Sequence, residues 1–217
     1  MNDPLRLAVA LIPLAIYFAL LGLVNLRRRP YLMPAARDTA ALALGLSGMM
    51  LVGPLELFAP REAVANFGVY IWAMLLTLYS LLVTLYILVS RPGLVIYNIS
   101  LDEFLPVLNE VLEPLADDIR WAGNMLAIPR LGIELHVESF APMRNIRLTA
   151  VSDLQSFRGW GMLETALTTR LEQVEVRPNS RGVSFVVLGT LLLGTAIWWL
   201  ASDPTAVATR LEGLFRR

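Results

Sequence analysis

The sequence predicts a multi-pass α-helical membrane protein with about four transmembrane helices and a small two-layer α+β domain inserted between the third and fourth helices. The chain is unusually apolar for its 217 residues, with 56% hydrophobic residues and a mean hydropathy of +0.60. Four stretches are long and apolar enough to cross a bilayer, whereas residues 92–181 mix polar and apolar side chains with regular turn signals. We therefore expect the bilayer to be a partner of this chain.

The four apolar stretches are residues 7–26, 40–59, 68–89 and 182–201. A spanning helix needs about 20 predominantly apolar residues. The first, third and fourth stretches contain no charged residue, and the second contains one, Glu56, near its end. A carboxylate at that position reaches the membrane interface, so we interpret Glu56 as a boundary residue, with a place in an ion pathway as the alternative.

Arginine residues predict the orientation of the spans. The loop of residues 27–39 carries four Arg, whereas residues 60–67 carry only Arg61. Because loops rich in Arg stay in the cytoplasm, we expect residues 27–39 and 92–181 there, in a protein of the cell membrane. Arg27, Arg28 and Arg29 follow the first span instead of preceding it, which favours a retained anchor over a cleaved signal peptide.

Small residues on the predicted spans indicate faces for helix packing. Such faces carry Ala15, Ala19 and Gly22 in the first span, Ala41, Gly45 and Gly48 in the second, and Ala73, Thr77, Ser80 and Thr84 in the third. We expect them to pack helices together, within the chain, with a protein partner or in a homo-oligomer. The hydroxyl groups of the third stripe leave a transport pathway as the alternative.

The sequence of the inserted domain, residues 92–181, predicts strands and helices in a definite order. In order these are a strand at 94–99, a helix from Ser100, a hairpin of 119–122 and 125–128, strands at 131–138 and 145–150, and a helix at 160–174. Ser100 and Glu103 form a capping box at the first helix, and Gly123-Asn124 forms the hairpin turn. Both helices are expected on one face of an antiparallel sheet.

The strand at 131–138 contains the most site-like cluster of the sequence. Glu134, His136 and Glu138 alternate with apolar residues, so they share one face and are candidate metal ligands. A solvent-facing strand has the same pattern, which is the interpretation we favour, with Arg147 as a cross-strand ion-pair partner of Glu134 or Glu138. The pair Asp117-Asp118 is a second candidate for a cation and is more typical of a solvated turn.

Composition narrows the function. The chain has no Cys and a single His, which excludes thiolate sites and a multi-histidine metal site. Residues 92–181 carry 8 Arg and 12 Asp plus Glu, a net charge of −4, which disfavours nucleic acid. We expect no cofactor and a non-enzymatic anchor or scaffold, with a small transporter or channel component and a membrane-bound enzyme as alternatives. Residues 202–217 are expected to form an amphipathic helix on the membrane surface.

Overall fold

A computed structural model describes residues 4–55, 70–114, 119–205 and 207–209 of the chain. The chain divides into two compact units. One contains most of the long apolar helices (residues 1–21, 40–88 and 185–217), and the other contains a sheet with its covering helices (residues 22–39 and 89–184). In chain order the helices are α1 (Pro4–Leu26), α2 (Ala35–Met50), α3 (Tyr70–Val89), α4 (Leu101–Leu112), α5 (Phe157–Leu171) and α6 (Arg181–Ser202).

Four of these helices, α1, α2, α3 and α6, are long and apolar enough to cross a membrane. They coincide with the four predicted stretches, although α2 begins five residues earlier than expected and is continued by a π-helical turn, Leu51–Leu55. Pro13 lies inside α1 and does not end it. By length and composition, the described residues therefore support a membrane protein.

Small residues bring the apolar helices into close contact. A Cβ atom added at Gly48 of α2 would lie 1.9 Å from the carbonyl oxygen of Val9 in α1, and one added at Gly45 would lie 2.7 Å from Cβ of Tyr17. On α6, a Cβ at Gly189 would lie 2.8 Å from the carbonyl oxygen of Ala15. Because only glycine permits such approaches, the small-residue faces predicted on the first two spans are used within the chain.

The second unit contains a six-stranded antiparallel sheet. Its strands are β1 (Tyr31–Pro34), β2 (Gly93–Tyr97), β3 (Arg120–Ala122), β4 (Met125–Ile128), β5 (Ile133–Phe140) and β6 (Asn145–Ala150). They lie in the order β1-β2-β6-β5-β4-β3, so β1 and β3 are the two edges. Five spacings of about 4.8 Å separate those edges by roughly 24 Å.

Strand β1 is the element that the sequence analysis missed. It lies in the stretch 27–39, which was expected to be only a loop, and it pairs with β2 from Tyr31 opposite Tyr97 to Pro34 opposite Leu94. Proline has no N–H to donate, and it is tolerated in a strand at an edge such as this one. The segment between the first two apolar helices is thus part of the sheet.

The core lies on one face of the sheet, between the strands and both α4 and α5. From α4 it takes Phe104 and Leu108, and from α5 Trp160, Leu163 and Leu167. The inward residues of β5 and β6 complete it: Ile133, Leu135, Val137, Ile146, Leu148 and Ala150. This is the two-layer α+β arrangement that the sequence predicts.

Helices α4 and α5 begin at, or within three residues of, the positions that local sequence signals predict. Ser100 precedes α4, and its backbone N–H and hydroxyl donate to Glu103 Oε2 at 2.9 and 2.8 Å. Helix α5 begins at Phe157, three residues earlier than expected, with Ser156 as its N-cap. A Cβ at Gly159 would lie 2.1 Å from the carbonyl oxygen of Leu131, so glycine is needed for α5 to pack on the sheet.

Candidate functional site

The sheet face opposite the core carries the polar residues of β5. Glu134, His136 and Glu138 project from this outer face, because they alternate with the buried Ile133, Leu135 and Val137. His136 Nε2 lies 3.8 Å from Glu138 Oε1, and both side chains are partly exposed. The buried Nδ1 atom of His136 has no hydrogen-bond partner. The structure therefore brings two of the three predicted metal candidates together.

A metal centre does not follow from this pair. Among the described residues, no three His, Asp or Glu side chains come close enough together to hold a metal ion. The other two predicted candidates for ion or cation contacts, Glu56 and the pair Asp117-Asp118, lie outside the described ranges. Most of the predicted C-terminal amphipathic helix lies outside them too, with residues 207–209 helical.

A second polar cluster on the outer face contains Asp38, Tyr97 and Arg147. The hydroxyl of Tyr97 donates to Asp38 Oδ1, and Arg147 Nη2 lies 3.5 Å from Asp38 Oδ2. Register places Glu138 directly opposite Arg147, yet the ion pair observed for Arg147 is with Asp38. This cluster fixes the first turn of α2 onto strands β2 and β6.

A polar junction forms where α1 ends and α6 begins. The backbone N–H of Val176 donates to the carbonyl of Arg28 at 2.8 Å, and that of Asn179 donates to the carbonyl of Asn25 at 2.9 Å. Asn98, which is fully buried with a positive φ of 60°, donates from Nδ2 to the carbonyl of Arg27 at 2.6 Å. These bonds hold residues 25–28 and 176–179 side by side against the sheet.

An ion pair continues this junction into α4. Arg144 Nη2 lies 2.7 Å from Glu103 Oε2, and Arg144 Nη1 donates to the carbonyl of Arg177 at 2.8 Å. Partial burial raises the pKa of Glu103, but hydrogen bonds from Ser100 and Arg144 and the positive charge of Arg144 outweigh it. The pKa of Glu103 is therefore below its ordinary value, and the carboxylate stays charged.

A shallow depression of about 330 Å³ opens on the surface of the junction. It is lined by Arg28, Glu175, Val176, Arg177 and Pro178. The Arg28 and Arg177 side chains are exposed, and neither forms an ion pair with an acidic group of the described residues. Two arginines and one glutamate give the lining a net positive charge, which suits a negatively charged oxygen ligand.

No known relative indicates the function of these features. Comparisons with protein-family models, with curated protein sequences and with solved structures give no match. The functional interpretation of the chain therefore depends on its own geometry.

The hydroxyl stripe of α3 has exposed side chains throughout: Ala73, Thr77, Ser80 and Thr84. Thr77 Oγ1 donates to the carbonyl of Ala73, and Ser80 Oγ donates to the carbonyl of Leu76, each at 2.8 Å. These hydroxyl hydrogens are used within the helix itself, as is common for Ser and Thr in apolar helices. Within the described residues, the stripe is an exposed surface of α3.

Sequence reasoning missed both the Asp38 cluster and the arginine depression. Each needs contacts between the segment 25–38 and residues more than fifty positions later in the chain. The only local sequence signal was the positive charge near the depression, because Arg27, Arg28 and Arg29 form a run after an apolar stretch. That run was used to orient the spans, and it also supplies one wall of the depression.

Proposed function

We propose that the chain is a non-enzymatic membrane anchor or scaffold that presents its sheet domain to a protein partner in the cytoplasm. In this proposal α1, α2, α3 and α6 cross the bilayer. Arg27, Arg28 and Arg29 follow α1, while Arg91 follows α3 and Arg181 begins α6. All of them lie at the helix ends that connect along the chain to the strands or to α5, and the positive-inside rule predicts that this side is cytoplasmic.

Aromatic residues lie at the opposite ends of two of these helices. Tyr70 and Trp72 lie at the start of α3, and Trp198 and Trp199 lie near the end of α6. Tyr and Trp concentrate at membrane interfaces, where the ring is partly in hydrocarbon and its polar group meets water. The arginine and aromatic groups thus mark two interfaces.

The observation that carries the scaffold proposal is how the sheet is attached. Both ends of β1 and the start of β2 are connected along the chain to apolar helices: β1 lies between α1 and α2, and β2 follows α3. Strand β3, at the other edge, is exposed along all three residues. Trp121 in β3 is 43% exposed, and Met125 in the neighbouring strand is 48% exposed. An edge strand with exposed aromatic and Met side chains is a common surface for protein recognition.

Replacing Trp121 tests the proposal. A tagged full-length chain is extracted from native membranes in mild detergent, and each co-purifying protein is quantified. If a stoichiometric partner binds at the β3 edge, Trp121→Ala should weaken its affinity by roughly 30-fold and lower its recovery, since truncation of a central aromatic residue costs about 2 kcal/mol.

Arg158→Ala is the matched control, because Arg158 is exposed on α5 instead of β3. It should leave the recovery of the partner unchanged. A partner that is recovered equally from both variants does not use this edge. Recovery of the chain with no stoichiometric protein, under conditions that keep it folded, would contradict the scaffold proposal.

A further inference from the structure

Two arginine residues from distant parts of the chain share the depression at the polar junction. Arg28 follows α1, and Arg177 precedes α6. The hydrogen bonds from Val176 to Arg28 and from Asn179 to Asn25 hold the two backbone segments together, so the two arginines start from adjacent positions before any ligand arrives. Because their backbone positions are fixed, only the side chains of the two arginines have to be ordered on binding.

The charge of the depression favours an anion. Arg28 and Arg177 provide two positive charges, and Glu175 is the single acidic residue of the lining. Neither arginine has an ion-pair partner among the residues that the structure describes. A guanidinium group presents five N–H donors in a planar fork that matches two oxygens of a phosphate group, and such charge-assisted bonds are strong.

The chain positions of these residues set their depth in a membrane. Arg28 is two residues beyond Leu26, the last residue of α1, and Arg177 is four residues before Arg181, the first of α6. Two residues span at most about 7 Å, and the backbone bond from Val176 to Arg28 keeps Arg177 next to Arg28. The polar headgroup layer on each side of a bilayer is roughly 5–8 Å thick beyond the hydrocarbon core. If α1 and α6 span the bilayer, the depression lies at the level of the lipid phosphates.

We propose that Arg28 and Arg177 bind the phosphate group of an anionic lipid in this depression. The inference rests on the membrane crossing in the proposed function, and it is independent of the β3 edge. A volume of about 330 Å³ is at the small end of ligand sites, which suits a phosphate with a compact headgroup. Basic pockets at the cytoplasmic ends of membrane helices are suited to such headgroups.

Thermal unfolding of the full chain in detergent micelles tests this site, with phosphatidylglycerol, phosphatidylcholine or inorganic phosphate added. We expect phosphatidylglycerol to raise the unfolding midpoint in a saturable manner and the zwitterionic lipid to have little effect. Arg28→Gln and Arg177→Gln should each weaken the apparent affinity for phosphatidylglycerol by roughly ten-fold, the usual loss when one charged hydrogen-bonding group is removed. An equal shift with inorganic phosphate alone would assign the site to a soluble anion and overturn the lipid proposal.

Arg29→Gln is the matched control, because Arg29 is exposed, follows Arg28 directly in the chain and does not line the depression. It should weaken binding by about two-fold or less. If Arg29→Gln weakens binding as much as Arg28→Gln, the attraction comes from diffuse charge and no built site exists. Equal affinity in all the variants overturns the proposal as well.

Glu175→Gln gives a test in the opposite direction and does not depend on a loss of binding. Removing this negative charge from the lining should increase the affinity for phosphatidylglycerol, whereas a variant damaged in folding would lose it. An unchanged affinity in Glu175→Gln would contradict the assigned position of the phosphate. A chain that crosses the bilayer but shows no lipid-specific shift would refute this site and leave the membrane anchor standing.

Discussion

Substitution of Gly48 by alanine is expected to separate α1 from α2. The added Cβ would lie 1.9 Å from the carbonyl oxygen of Val9 and 2.9 Å from its carbonyl carbon. Both of these atoms belong to the backbone, so no side-chain rotation can relieve the contact. Since non-bonded carbon and oxygen atoms rarely approach within about 3 Å, the helix backbones must move apart by roughly 1 Å.

The expected magnitude follows from two opposing effects. Overpacking a well-packed contact costs typically about 1–3 kcal/mol, and a contact with rigid backbone belongs at the upper end. Alanine also favours the helix over glycine by up to about 1 kcal/mol. Gly48→Ala should therefore lower the free energy of unfolding by roughly 2 kcal/mol.

Gly194→Ala is the matched control, because a Cβ at Gly194 in α6 has no neighbouring atom within 4 Å. This variant gains the helix preference without the clash and should be at least as stable as the natural chain. Both free energies are measured by denaturant titration of the full chain in micelles, with helix content as the signal. Equal stability of the two alanine variants would refute the close approach of α1 and α2.

Two further predictions concern the junction and the orientation. Because the folded-state pKa of Glu103 is lowered, its stabilising effect is complete above its ordinary value of 4.5 and is lost as the pH falls through the lower folded value. The unfolding midpoint of the natural chain should therefore fall more steeply on acidification below pH 4.5 than that of Glu103→Gln, and parallel pH profiles would rule out this contribution. The natural chain has no Cys, so a single Cys can be introduced as a label site at Ser202 or at Asn124. An impermeant maleimide applied to intact cells should label the Cys at Ser202 and not the one at Asn124. The reverse labelling pattern would invert the proposed orientation.

Local sequence patterns predicted most of the regular structure. Alternation of apolar and polar residues identified β5 and β6, the Ser100 and Glu103 capping box located the start of α4, and apolar length identified the four long helices. The packing glycines Gly45 and Gly48 were also visible as a small-residue face. These features depend on neighbours within a few residues, which is the range that periodicity reports.

Strand β1 and the two polar clusters were not predictable in the same way. Tyr31–Pro34 is only four residues long, ends in proline and follows three arginines, so its local preferences do not indicate a strand. Its stability comes from pairing with Gly93–Tyr97, a partner far along the chain. Asp38 reaches Tyr97 and Arg147 only after that pairing is made, so the outer-face cluster depends on β1.

The position of β1 in the chain also sets an order of events during synthesis. Fifty-eight residues, including α2 and α3, lie between Pro34 and Gly93. At about 5–20 residues per second, a ribosome needs roughly 3–12 s to deliver the partner strand after β1 has emerged. The sheet therefore cannot close its β1 edge until the third apolar helix has been made, which links completion of the domain in time to the placement of the helices that precede it.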